Sequence, residues 1–234
     1  MIKKIFFIFL LIQLTAKGQE YYNDAQLWAH ISVQKKLSKH WDAHLKIQGR
    51  QTNNLMDLGK AWADMGIGFH INKNVRILVD YVFNQKRRPE GYYKTQHQYY
   101  VGLVLKYDWR YFRLVYRNIL QAQQYNPSTS RMGYLLHIYD RNKFTLKYSA
   151  TKRIGFYASE ELRIPLNDPR GGGIDRTRTY LGLTINLSKH HQIEFYSMYQ
   201  AQLRNPNWYD QEDSDPPNLL KRYYIYGVGY NISF

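Results

Sequence analysis

The side chains of this 234-residue chain that could do chemistry are mostly charged ones placed two residues apart. Asp42, His44, Lys46 and Arg50 form one such series. Asp64 with His70, Arg76 with Asp80, and Arg113 with Arg117 continue it. Lys147, Glu161 with Arg163, Arg176 with Arg178, and Glu194 complete it. On a shared wall around water, these groups would make a predominantly cationic lining that favours anions. In a narrow space they would instead pair with one another and fill it. Nucleophilic catalysis needs a nucleophile with a base in reach. Ser159 and Ser197 offer hydroxyls, and His30, His44, His70, His97 and His137 offer bases, but no spacing joins one to another. No catalytic residue is therefore assigned.

Other donors carry weaker signals. The chain has no cysteine, which excludes thiolate chemistry and a disulfide scaffold. His190-His191 reads as a solvated turn. Asp210, Glu212, Asp213 and Asp215 lack the glycine and distal glutamate of a calcium loop. No metal ligand and no cofactor is assigned. Gly171-Gly172-Gly173 follows no strand–helix unit, so it reads as a mobile loop and not as a phosphate cradle. Lys86, Arg87 and Arg88, beside Tyr92-Tyr93, form a candidate extracellular basic patch that would meet anionic lipopolysaccharide.

The elements that position these residues have a period of two. Leu27, Ala29, Ile31 and Val33 alternate with Trp28, His30, Ser32 and Gln34. Trp41, Ala43, Leu45 and Ile47 do the same against Asp42, His44, Lys46 and Gln48. The pattern returns at 61–71, 75–84, 99–106, 112–117, 144–148, 156–163, 179–187 and 193–200. The last segment sets Tyr224, Tyr226, Val228, Tyr230, Ile232 and Phe234 on one face, the candidate lipid-facing terminal strand. These are pleated strands with one apolar face. Glu160 falls on the apolar parity, which predicts a bulge or strand end there.

Three features choose a membrane barrel over a soluble sandwich. Connections alternate between short (38–40, 72–74, 107–110, 151–153, 188–190) and long (51–60, 85–95, 121–135, 165–175, 205–222), as in outer-membrane barrels. Aromatic residues such as Trp41, Phe69, Tyr81, Phe83, Tyr99 and Tyr107 gather near strand ends, where interfaces favour them. The chain ends on an apolar-face aromatic, Phe234, which is the kind of signal read by the barrel-assembly machinery. Lys3-Lys4, the apolar run 5–14 and Ala16-Lys17-Gly18 read as a secretory signal peptide over 1–18, with the barrel over 19–234. Cleavage lowers the formal charge from +15 to +12. The expected partners are outer-membrane lipid and lipopolysaccharide, with no nucleic acid, and the expected location is the outer membrane.

The reading is thus an all-β, transmembrane, antiparallel up-and-down barrel of about 10–12 strands. Eleven segments are visible, but single-chain bacterial barrels normally carry even numbers. Either 27–37 is no regular span, leaving ten, or a hairpin hidden within 130–150, at Asp140-Arg141-Asn142, makes twelve.

Leu27-Trp28-Ala29-His30, leading to Lys35-Lys36-Leu37-Ser38-Lys39, resembles the start of the DUF2490 family. So do the run from Tyr139 to Tyr148 and Tyr157-Ala158-Ser159-Glu160-Glu161-Leu162. The resemblance spans nearly the whole mature chain. It implies an outer-membrane barrel of a Gram-negative, Bacteroidetes-like source. It supplies no activity and no catalytic residues. Two roles stay open: a small channel for polar or anionic solutes, or an accessory barrel with a plugged lumen acting through its loops. A lipid-modifying barrel enzyme is third.

Overall fold

The computed structural model describes residues 21–88, 91–124, 136–169, 171–204 and 220–234. The expected signal peptide and the acidic loop 210–217 lie outside them. The described residues form eleven strands: β1 Tyr21–Lys36, β2 Trp41–Thr52, β3 Asp57–His70, β4 Val75–Arg87, β5 Tyr93–Trp109, β6 Phe112–Gln124, β7 Leu136–Ser149, β8 Ile154–Pro165, β9 Arg176–Asn186, β10 His191–Gln202 and β11 Leu220–Ser233. Each pairs antiparallel with the next, and the sheet closes into a barrel. The choice between ten and twelve is corrected to eleven. An odd number forces the first and last strands to run the same way. β1 and β11 accordingly pair in parallel, from Tyr21 opposite Leu220 to Gln34 opposite Ser233.

Alternate residues point to opposite sides of the wall. Ile47 and Leu181 are 58% and 64% exposed on the outside, while neighbours such as Gln48 and Tyr180 are buried inside. Even the shortest strand, β9 with 11 residues, rises about 28 Å along the barrel axis at a tilt of about 40°. That covers an apolar band of about 25 Å. Aromatic rings pair at both margins of the band. Trp41 meets Phe69 with centroids 4.9 Å apart, and Phe112 meets Tyr148 at 5.1 Å, toward the short turns. Tyr81 with Tyr99, at 5.6 Å, and Tyr199 with Tyr224, at 5.5 Å, do so toward the long loops.

Several local expectations are corrected. The loop expected at 51–60 is a tight turn at 53–56 between β2 and β3. Asn53, Asn54 and Leu55 all have positive φ, which suits asparagine. The register slips at Gly59, so the alternation fails there although the strand continues. The loop expected at 85–95 shrinks similarly, because β4 and β5 remain paired out to Arg87 opposite Tyr93. Beyond the lipid neither face needs apolar residues, so the two-residue signal fades before the strand does. Asp140-Arg141-Asn142 is not a hairpin but the middle of β7. Glu160 marks neither bulge nor end, since its register is continuous with both neighbours. It faces outward and accepts a hydrogen bond from Thr179 Oγ1 at 2.7 Å. The glycine loop is held: Arg204 donates to the carbonyls of Gly171 and Gly172, both at 2.7 Å.

Candidate functional site

Strand parity delivers the predicted charged residues to the lumen in tiers. At the short-turn mouth, Asp42 takes Arg76 Nε at 2.9 Å and Nη2 at 2.5 Å, and lies 2.5 Å from His70 Nε2. Arg113 pairs with Asp108 there, and Lys147 stands exposed. Toward the long-loop end, Arg163 makes a two-point pair with Asp175 at 2.8 and 2.7 Å, beside Arg176. Between the tiers lies a cavity of about 270 Å³. Its wall includes Lys46, Arg50, Asp64, Asp80, Arg117, Glu161, Arg178 and Glu194 from the predicted set. His44 stands beside Asp64 and Asp80.

Glu161 anchors this cavity. It is 2% exposed and accepts from Arg141 Nη2 at 2.9 and 3.1 Å and from Arg178 Nη1 at 3.0 Å. Arg117 stands 3.7 Å away. The guanidinium groups have further acceptors: Arg141 donates to Gln121 at 3.1 Å and Arg178 to Gln200 at 2.7 Å. Arg50 is held differently. Its guanidinium lies 3.7 Å from the Trp28 ring centre and 4.3 Å from that of Trp62, and it donates to Gln48 Oε1 at 2.8 Å. Lys143 sits 3.7 Å over the Tyr180 ring. The cavity wall carries six cationic and four acidic side chains, a formal excess of positive charge.

Sequence reasoning missed Arg141, Lys143 and the aromatic lining of Trp28, Trp62, Tyr100, Tyr157, Tyr180 and Tyr196. The parity signal was present at every one. Arg141 was obscured by the expected hairpin, whereas Lys143 and the rings stand on the inward parity but outside a lining drawn only from charged positions of the clearer strands.

The long-loop side of the cavity is closed by side chains. Val82 and Asn84 are 0% exposed, and His137, Met198 and Ile225 are 1% exposed. All point inward. A residue beside a water-filled passage would touch water, so none runs past these groups. Trp28, Tyr180, Met198 and Ile225 form one packed cluster, and Val82, Tyr100 and Ile119 another. Rings reach the wall because small residues admit them. A Cβ at Gly182 would overlap the Tyr157 ring, and one at Gly227 the Tyr196 ring.

The remaining candidates are dispersed. Lys86 has inward parity, Arg87 points outward and pairs with Asp57, and Arg88 is buried, so the three form no common exposed patch. Tyr224, Tyr226, Val228, Tyr230 and Ile232 have outward parity, and Phe234 is exposed at the strand's end. Ser159 donates to Thr145 Oγ1 at 2.9 Å, and Ser197 faces outward. Among the described residues, neither hydrogen-bonds a histidine. His190 and His191 tie the turn between β9 and β10 to β11 through the Ser233 carbonyl at 2.6 Å and Tyr230 Oη at 2.8 Å. On the outer face, Asn118, Asp140 and Asn142 bond to one another at 2.6–3.1 Å, and Tyr116 donates to Asn142 at 2.5 Å.

Comparison with known proteins agrees with this architecture. The sequence profile of a family described as "Protein of unknown function (DUF2490)" matches residues 25–211. No curated protein matches. The solved structure of the NanC porin in a rhombohedral crystal form has a TM-score of 0.51 and 13% identity, over 85% of this chain and 94% of that one. At that identity the likeness speaks for the barrel fold alone. The β domain of the Bordetella autotransporter BrkA has a TM-score of 0.35 and 10% identity, over 69% of this chain and 76% of that one, and carries no argument.

Proposed function

The chain belongs to the DUF2490 family, whose description assigns no activity, and from that premise we propose an outer-membrane barrel with an occluded lumen. Its cationic cavity opens toward the short-turn, periplasmic side and takes small polar or anionic solutes. One observation carries the reading: the tier of fully buried inward side chains at Val82, Asn84, His137, Met198 and Ile225. That tier lies between the cavity and the long loops. The excess of cations around the cavity supports a preference for anions. Export by a cleaved signal peptide over 1–18 fits the same reading. So does delivery by the barrel-assembly machinery through the strand that ends on Phe234. Lipid covers the outer face, and lipopolysaccharide meets the long loops.

Planar-bilayer recording of the purified protein tests this. The wild type is expected to be silent. Met198→Ala with Ile225→Ala removes a register pair from the packed tier and is expected to admit current with anion preference. Steady steps from the wild type would replace the occluded barrel with a standing channel. Silence from both proteins would favour an accessory role through the loops.

A further inference from the structure

His44 on β2, Asp64 on β3 and Asp80 on β4 converge on the lumen wall. One donor atom of each lies within 4.8 Å of the other two. The convergence has a local cause. His44 and Asp80 are the register partners of Gly66 on its two sides. A Cβ at Gly66 would overlap the Asp80 carboxylate and the Val79 carbonyl. Glycine therefore leaves the gap across which Asp80 leans toward His44.

His44 Nε2 is 3.4 Å from Asp80 Oδ1 and 3.9 Å from Asp64 Oδ1. Both carboxylate oxygens are buried without a hydrogen-bond partner, and Asp80 is only 8% exposed. Among the described residues, His44 is the one cation-capable group within ion-pair distance of either. The nearby Arg76 is committed to Asp42. Adjacent carboxylates, one buried and one half-buried, whose inner oxygens lack a donor cost free energy unless something fills those acceptors.

Lys46, the register partner of Asp64, and Arg117 share this wall but donate to neither oxygen, and a divalent ion would fill both acceptors at once. Ligand bonds of about 2.0–2.2 Å imply a tetrahedral edge of about 3.3–3.6 Å. The His44–Asp80 separation already matches, the His44–Asp64 separation is longer at 3.9 Å, and the two carboxylates lie within 4.8 Å of each other, so Asp64 must move inward to complete the set. One imidazole with two carboxylates suits Zn²⁺ and its neighbours better than Ca²⁺ or Mg²⁺, which take oxygen ligands. Asp64 and Asp80 also line the cavity, so the remaining coordination positions face it. We propose that His44, Asp64 and Asp80 form a divalent transition-metal site on the lumen wall, with Zn²⁺ as the best fit.

The test uses the full-length protein, refolded in detergent and stripped of metal. Calorimetric titration with Zn²⁺ alone is expected to give one ion per chain. Co²⁺ is expected to give the visible absorption of a low-symmetry, tetrahedral-like site. Asp80→Asn and His44→Gln should each weaken Zn²⁺ binding by about a hundredfold or more, beyond the cost of losing an outer-shell partner. Heat-modifiable migration verifies that each variant remains a barrel, and either variant alone suffices if the other fails to fold. His190→Ala with His191→Ala should leave binding unchanged. No binding by the wild type, binding indifferent to both lumen variants, loss in the turn variant instead, or preference for Ca²⁺ or Mg²⁺ would each overturn the proposal.

Discussion

Replacing Glu161 with glutamine measures how dry the arginine cluster at the centre of the lumen is. The substitution keeps the side chain's volume and removes its charge. Three arginines, two of them within 3.1 Å of the carboxylate, then lose their shared anion. In a closed, poorly hydrated interior, removing one partner of a buried pair costs about 3–5 kcal/mol. Around a water-filled pore the same contacts would behave as exposed pairs, worth about 0–1 kcal/mol each. Three such contacts sum to at most about 3 kcal/mol, so the two states are separated by the response to salt as well as by the size of the loss. Urea titration in liposomes, read by tryptophan fluorescence and by heat-modifiable migration, measures the difference. Salt sharpens it, because the screening length falls from about 10 Å at 0.1 M to about 3 Å at 1 M. A dry cluster predicts a loss of about 3 kcal/mol or more that salt barely alters. Adding Arg141→Met to Glu161→Gln should recover part of the loss, since the stranded charge goes with it. A loss below about 1 kcal/mol that shrinks further in high salt would refute a dry arginine cluster around Glu161.

Two further substitutions probe the wall. Ala29→Cys with Val228→Cys places thiols on opposed residues of the β1·β11 seam. Neighbouring strands lie about 4.8 Å apart, within disulfide reach. The natural chain has no cysteine to compete. An intramolecular cross-link in the folded barrel is expected, and its absence would mean that β1 does not close the sheet. Glu160→Leu removes an outward carboxylate at the cost of its bond to Thr179. In liposomes it should raise stability by about 1–2 kcal/mol, less than the midplane cost of a basic residue. A decrease under the same urea titration would show that this face meets protein and not lipid.

The amino-acid sequence by itself determined the faces. Each strand's two-residue period is a property of a short stretch of chain, so the outward apolar stripe and the inward charges could be read one segment at a time. The same locality explains the errors. At Gly59 one unpaired residue breaks the alternation while the strand continues. At Gln85–Arg87 the strand has left the lipid and no longer needs an apolar side. At 140–142 outward polar residues that bond to one another imitate a turn. Tertiary structure decided the strand number, because closure depends on β1 meeting β11 from opposite ends of the chain. It also decided the state of the lumen. Arg50 between Trp28 and Trp62, Glu161 among three arginines, and the gap at Gly66 that brings Asp80 to His44 all join residues from different strands. Their convergence is set by the barrel's curvature and register, which no single strand's pattern contains.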